Sequence, residues 1–169
     1  MPLDIDAIID RTEWTRDEGY AYYEFLRCIA LAHGGEPTVV EFGTRWGLST
    51  RAWSEHARRV ITFDYKPCRE IAEENVIVYK GDCEEQYKAW DCPFADIVYL
   101  DADHSYEGLM RHIDLVMPHS TIILVHDTVA DPRSAAAVSR YERDHRCVTF
   151  PLLKGFTLIE SRHTYGSYL

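Results

Sequence analysis

Short apolar runs, each closed by an acid or a glycine, alternate along the chain with stretches whose apolar residues are spaced more widely. The runs containing Val39-Val40 and Phe42, then Val60–Tyr65, Val76–Asp82, Ala95–Asp101 and Thr121–Asp127, predict five strands. Helical patterns lie between them. One opens at Ser49 and Thr50 and runs through Trp53 and His56, Pro67 begins a short helix or turn through Glu74, and Glu84–Trp90 is a short helix. Another follows Ser105, a plausible N-cap, with Leu109, Ile113 and Val116 spaced to face a sheet, and an Ala-rich helix covers Ser134–His145. Cys147–Leu153 and Phe156–Ser161, separated by Lys154-Gly155, predict a terminal antiparallel hairpin. Residues 3–33 read as helix in one or two pieces, with Thr15 as a cap, Tyr20, Tyr23, Phe25, Leu26 and Ile29 on an apolar face, and His33-Gly34-Gly35 as the stop. This region should pack on the sheet or overhang its ligand edge. Strands alternating with helices give an α/β domain: a doubly wound, mostly parallel sheet of seven strands, ending in the hairpin.

Composition narrows the partners. At 169 residues the chain is one domain by length, and 28 acids against 18 bases give a net charge of −10. A nucleic-acid footprint is therefore not expected. No apolar run approaches a bilayer span and the first residues are acidic where a signal peptide is basic, so the expected location is the cytoplasm, with no membrane partner. Cys28, Cys68, Cys83, Cys92 and Cys147 are odd in number and contain no C-x-x-C, which predicts reduced thiols and no structural zinc.

The stretch Thr38–Thr50, T-V-V-E-F-G-T-R-W-G-L-S-T, carries the first chemical signal. It reads as strand, tight turn and helix, and the turn leaving such a strand lies at the carboxyl edge of the sheet, where ligands bind. Gly43 and Gly47 let backbone approach a ligand or adopt positive φ. Glu41 is an acid in a strand expected to be buried on both faces, and it needs a partner, a ligand being one candidate. The turn does not have the G-x-G-x-x-G spacing of a dinucleotide site, nor is it a P-loop or a nucleophile elbow. Asp64, about twenty residues beyond Gly43, is placed to accept both ribose hydroxyls of a nucleoside. Asp82, after Gly81, reads on its own as a turn-forming residue.

Five βα units and a hairpin, E-F-G-T-R-W-G-L-S-T after strand one, an acid ending strand two, D-A-D-H-S-Y-E-G after strand four and an apolar strand ending H-D-T together resemble class I S-adenosylmethionine-dependent methyltransferases. Within them the pattern is similar to the small-molecule O-methyltransferase group that includes cephalosporin-hydroxylase-like and macrocin-type enzymes. The likeness covers Thr38 to Ser161. It implies a methyltransferase core over 38–161, an N-terminal helical segment over 1–37 and a tail over 162–169. It also implies S-adenosylmethionine as cofactor, held by Glu41, Gly43, Thr44, Arg45, Gly47, Ser49, Asp64, Asp82, Cys83 and Asp101, and a small hydroxylated acceptor such as a sugar, a glycosylated metabolite or a phenol. The short N-terminal segment leaves little to cover that acceptor, which points to a homodimer or higher homo-oligomer.

In this topology strands four and five are neighbours, so Asp101 and Asp127 converge. Carboxylates that close repel one another, and a bound cation removes the penalty. Metal-using relatives place ligands at the first Asp of D-x-D-H and at an acidic pair ending strand five, which here implies Asp101, His126 and Asp127. The chemistry suits Mg²⁺ or Mn²⁺, although His126 stands where the family often has Glu or Asp and tilts the preference away from Mg²⁺. Without a metal, Asp101 would position the methionine end of the cofactor. His104 is the first candidate for the base and His126 the second. A cofactor-binding or regulatory protein that has lost transfer is the alternative.

Overall fold

The structure is a computed structural model that describes residues 16–66, 71–90, 94–152 and 154–161. The expected helix before residue 16 with its Thr15 cap, the Pro67 turn, Cys68, Cys92 and the tail 162–169 lie outside those residues.

Helix α1 spans Arg16–Ala32. It is followed by β1 (Thr38–Phe42), α2 (Leu48–Ser54), β2 (Arg59–Asp64), β3 (Val76–Lys80), α3 (Cys83–Ala89) and β4 (Ala95–Leu100). Helix α4 (Tyr106–Val116) leads through a 3₁₀ turn, Met117–His119, into β5 (Ser120–His126), and α5 (Pro132–Ser139), β6 (Arg146–Phe150) and β7 (Phe156–Glu160) complete the chain. The sheet has seven strands in the order β3-β2-β1-β4-β5-β7-β6. The first five are parallel, and β7 is antiparallel to both β5 and β6. This is the predicted architecture, with the reversal of strand order at β1 and β4 marking the switch point where ligands bind in open α/β sheets.

Strand alternation assigns the faces. Val40, Phe42, Val98 and Leu100 point to the side covered by α3, α4 and α5. Val39, Ile97, Tyr99 and Leu124 point to the opposite side, where α1 and α2 contribute Tyr22, Leu26, Ala52 and Trp53. Helix α1 therefore lies on a sheet face. Ser105 caps α4, accepting from the Gly108 amide at 3.1 Å. The Ala-rich helix is shorter than expected, ending at Ser139. Beyond it the chain tightens into turns that leave Tyr141 buried, its hydroxyl donating to Asp114 at 2.6 Å, so tertiary packing overrides helix propensity there. No helix among the described residues is long and apolar enough to cross a membrane, and Cys28, Cys83 and Cys147 are free thiols.

Candidate active site

Polar residues on the α1/α2 face gather at the carboxyl ends of the central strands. Parallel pairing sets Glu41 opposite Thr62 on one side and Tyr99 on the other. The Glu41 carboxylate, fully buried, accepts hydrogen bonds from Ser49 Oγ at 2.5 Å, from Thr62 Oγ1 at 2.7 Å and from Thr50 Oγ1. The partner that Glu41 required is thus internal: the hydroxyls opening α2 turn back to the strand and leave Gly47 as N-cap without a side-chain bond. Burial lifts Glu41 to about 7, against the lowering effect of its three hydroxyl donors. A carboxyl that holds its proton to about pH 7 when folded but releases it near its ordinary value when unfolded weakens the fold as pH rises between those values, by up to about 3 kcal/mol. Wild-type melting temperature should fall between about pH 5 and 7.5, and Glu41→Gln should flatten that decline. An unchanged slope in the variant would assign the pH dependence to another group.

The turn after β1 is built by close approach. Gly43 (φ 103°) and Gly47 (φ 73°) both occupy the left-handed half of conformational space. The Gly43 amide donates to the Phe63 carbonyl at 2.8 Å, and the Asp101 amide donates to the Phe42 carbonyl at 2.9 Å, so the loops after β1 and β4 touch. Arg45, itself at φ 43°, donates its amide to Asp64 Oδ2 at 2.7 Å, while the Lys66 amide reaches Asp64 Oδ1 at 2.6 Å. The carboxylate is fixed at the strand end by two donors and retains lone pairs for others. The side chains of Thr44 and Cys83 bond within the protein. Thr44 Oγ1 bonds Thr62 Oγ1 at 2.6 Å inside the protein, and the Cys83 thiol packs in the core, donating to the Phe63 carbonyl at 3.3 Å. Burial pushes that thiol up to about 12. Both side chains are turned inward. Asp82 caps α3, accepting from the Glu85 amide at 3.0 Å.

The second cluster joins β4 and β5. His126 Nδ1 lies 2.9 Å from Asp101 Oδ1 and 3.5 Å from Asp127 Oδ1. His104 Nε2 lies 3.6 Å from both Asp101 Oδ1 and Asp127 Oδ2. Asp127 adopts φ 60°, a conformation Asp tolerates better than most residues, and the turn carries its carboxylate back to the β4 loop. Burial opposes charge on His126, but the Asp101 carboxylate outweighs it and raises the ring; reciprocally, burial would raise Asp101, and His126 holds it below the ordinary value. The two are hydrogen-bonded.

The expected trio of Asp101, His126 and Asp127 is not the one whose donor atoms converge. Asp101, His104 and Asp127 each offer an atom within 4.8 Å of the other two. His126 is the last residue of β5 and follows Leu124 onto the face covered by α1. Its ring is wedged between Phe156, with centroids 4.9 Å apart, and Tyr22, at 5.3 Å. Its side chain is 5% exposed, against 33% for His104.

Two contributors escape sequence reasoning. Tyr99 donates its hydroxyl to Asp101 Oδ2 at 3.2 Å, and Tyr22 of α1 hydrogen-bonds the Tyr99 hydroxyl across 77 positions of sequence. The i, i+2 relation of Tyr99 to Asp101 signals a shared face; nothing local signals Tyr22. Asp103 is held apart from the metal-type cluster by the Ser105 amide, at 2.8 Å, and its carboxylate occupies the space that a Cβ on Gly108 would need, at 1.8 Å.

A family model described as a methyltransferase domain matches residues 40–128, more than half of the chain. The chain belongs to this methyltransferase domain family. The matched residues run from β1 to the turn after β5 and so contain both polar clusters of the methyltransferase domain. Among solved structures, the SAH-bound methyltransferase PaMTH1 of Podospora anserina aligns with a TM-score of 0.70 at 18% identity, covering 90% of this chain and 81% of that one. Cofactor-bound Rv0187 from MTB aligns at 0.68 and 22% identity over 96% and 98%. The MycE methyltransferase of the mycinamycin biosynthetic pathway, in complex with Mg, SAH and mycinamycin VI, aligns at 0.63 and 17% identity over 86% of this chain and 50% of that one. These likenesses establish the fold as a Rossmann-like methyltransferase fold. No curated protein matches the chain.

Proposed function

We propose that this methyltransferase moves a methyl group from S-adenosylmethionine to a hydroxyl oxygen of a small molecule, a sugar, glycosylated metabolite or phenol. One observation carries the reading. The β1 turn is locked by its own backbone onto Asp64 on one side and onto the Asp101 loop on the other, so a nucleoside carboxylate and a reaction-type cluster share one sheet edge. The cofactor-bound states of PaMTH1 and Rv0187, and the methyltransferase MycE with its bound mycinamycin, support it.

S-adenosylmethionine supplies, when bound, a methyl carbon that accepts an oxygen lone pair in line with the breaking bond to sulfur, which keeps the electron pair. Asp64 accepts the ribose hydroxyls while the Arg45 and Lys66 amides hold it in place. Gly43 and Gly47 let the turn close beside that site, the first against the Asp101 backbone and the second against Ile71. His104, the exposed histidine, receives the acceptor proton between Asp101 and Asp127.

The donor set also fits a divalent cation. Two carboxylates and one imidazole converge without hydrogen bonds between His104 and either acid, a combination suited to Mn²⁺ and workable for Mg²⁺. Asp101, His104 and Asp127 would then hold the ion, which would supply Lewis acidity to orient the acceptor oxygens and lower the pKa of one. His104 serves as ligand in that state and as base in the other, which makes metal dependence decisive.

Calorimetric titration of chelator-treated protein with S-adenosylmethionine and S-adenosylhomocysteine, with NAD as control and with or without Mg²⁺ or Mn²⁺, tests the proposal. Binding of the first two alone is expected. Absence of both would overturn it, and binding without turnover over a broad acceptor panel would favour a regulatory role. Asp64→Ala should weaken S-adenosylmethionine at least tenfold, roughly the worth of a charge-assisted hydrogen bond, whereas unchanged affinity would remove Asp64 from the ribose site.

A further inference from the structure

Asp101 is held from beneath as well as from the side. His126 occupies Oδ1 at 2.9 Å and the Tyr99 hydroxyl donates to Oδ2 at 3.2 Å. With its proton committed to Asp101, Tyr99 can only accept from Tyr22, which fixes the direction of their bond: Tyr22 donates to Tyr99, and Tyr99 donates to Asp101. Both phenols are buried and, with burial the largest cause and the Asp101 charge adding to it, remain protonated far above the usual range. The Tyr22 ring also packs edge-on against His126, the other residue bonded to Asp101. One side chain of α1 thus touches both supports of the same carboxylate.

We propose that Tyr22 and Tyr99 are positioning residues of the active site, a directional hydroxyl relay through which α1 sets the orientation of the Asp101 carboxylate toward His104 and Asp127. A buried hydroxyl pair that served packing alone would have no need to end on a carboxylate of the reaction-type cluster. Here the relay terminates on one oxygen of Asp101 while His104 and His126 share the other. Rotation of Asp101 about its side chain would break the Tyr99 and His126 bonds together, so the two supports hold a single rotamer. The inference rests on the proposed methyltransferase reading for its catalytic meaning, and its structural content stands on the bonds themselves.

The test is a double-mutant cycle of Tyr22→Phe and Tyr99→Phe in the full chain, read by Mn²⁺ affinity from electron paramagnetic resonance, by S-adenosylhomocysteine affinity, and by the NMR resonance of the imidazole proton that His126 donates to Asp101. Each single variant should weaken Mn²⁺ about tenfold, as loss of an outer support does at metal sites, with S-adenosylhomocysteine affinity unchanged. Tyr22→Phe should also shift the imidazole proton. The double variant should weaken Mn²⁺ no further than Tyr99→Phe alone, because Tyr22 acts through Tyr99. Lower melting temperature with Mn²⁺ affinity and the His126 resonance both unmoved would overturn the relay and leave a packing role. If the wild-type chain binds S-adenosylhomocysteine but not Mn²⁺, the metal state fails and the His126 resonance alone decides the relay. Binding of neither defeats the methyltransferase reading, while a shifted resonance in Tyr22→Phe would still support the positioning of Asp101.

Discussion

Asp101→Asn should lower methyl transfer about a thousandfold while changing S-adenosylmethionine affinity by less than about threefold, the pattern expected when an electrostatic group acts on the reacting atoms and not on ground-state binding. The substitution preserves shape, but one carboxylate oxygen becomes an amide donor, and both groups hydrogen-bonded to that carboxylate are donors: Tyr99 and His126. Whichever way the amide turns, a donor faces a donor, and the charge opposite His104 is lost. Labelled methyl transfer to the acceptor panel and calorimetry on the same preparation separate the two effects. If affinity falls in proportion to turnover in Asp101→Asn, Asp101 positions the methionine end of the cofactor and has no separate role toward the acceptor.

Gly43→Ala should destabilise the fold by about 2–4 kcal/mol and weaken cofactor binding at least a hundredfold, through two effects that act together. At φ 103° an alanine is strained whatever the space. There is also no space: a Cβ at this position falls 2.6 Å from the Asp101 carbonyl oxygen and 2.8 Å from its carbon. Those atoms are backbone, so no rotamer change relieves the contact, and the loops after β1 and β4 must part. Their parting threatens both cross-strand bonds, Gly43 to Phe63 and Asp101 to Phe42. Gly35→Ala, where a Cβ meets nothing within 4 Å, should stay within about 0.5 kcal/mol. Urea unfolding of the two variants provides the comparison, and equal midpoints would remove the close approach from the account.

The sheet and its β1 turn were legible because their signals are local. Apolar runs ending in acids and glycines give parallel strands and their carboxyl edge, and the resemblance in D-A-D-H and H-D-T supplied the adjacency of Asp101 and Asp127. His126 meets both expected carboxylates but lies deeper than His104, for a reason equally physical. Alternation along β5 sends its ring to the face buried by α1 and β7, while the positive φ of Asp127 swings the next side chain over the edge to His104. A sequence displays neither the backbone reversal nor the aromatic wedge. Thr44 and Cys83 sit where the loop pattern implies contact with a ligand, yet a threonine beside buried Thr62 and a thiol above the Phe63 carbonyl are drawn inward by the bonds available there. Tyr22 was placed on a broad helix that should pack against the sheet, but the meeting of its hydroxyl with Tyr99 depends on how that helix lies, which periodicity does not specify.

The wedge around His126 has a consequence for how the protein is made. One wall is Tyr22 and the other is Phe156, and the turn before Phe156 is stitched to the loop after β5 by the amides of Thr128, Val129 and Ala130 donating to the carbonyls of Gly155 and Lys154. During synthesis, β1 to β5 emerge from the ribosome with His126 open on one side. The His126–Asp101 pair gains its Phe156 wall only when β7 has been released and docked, so its surroundings are completed by a strand that lies beyond the matched domain.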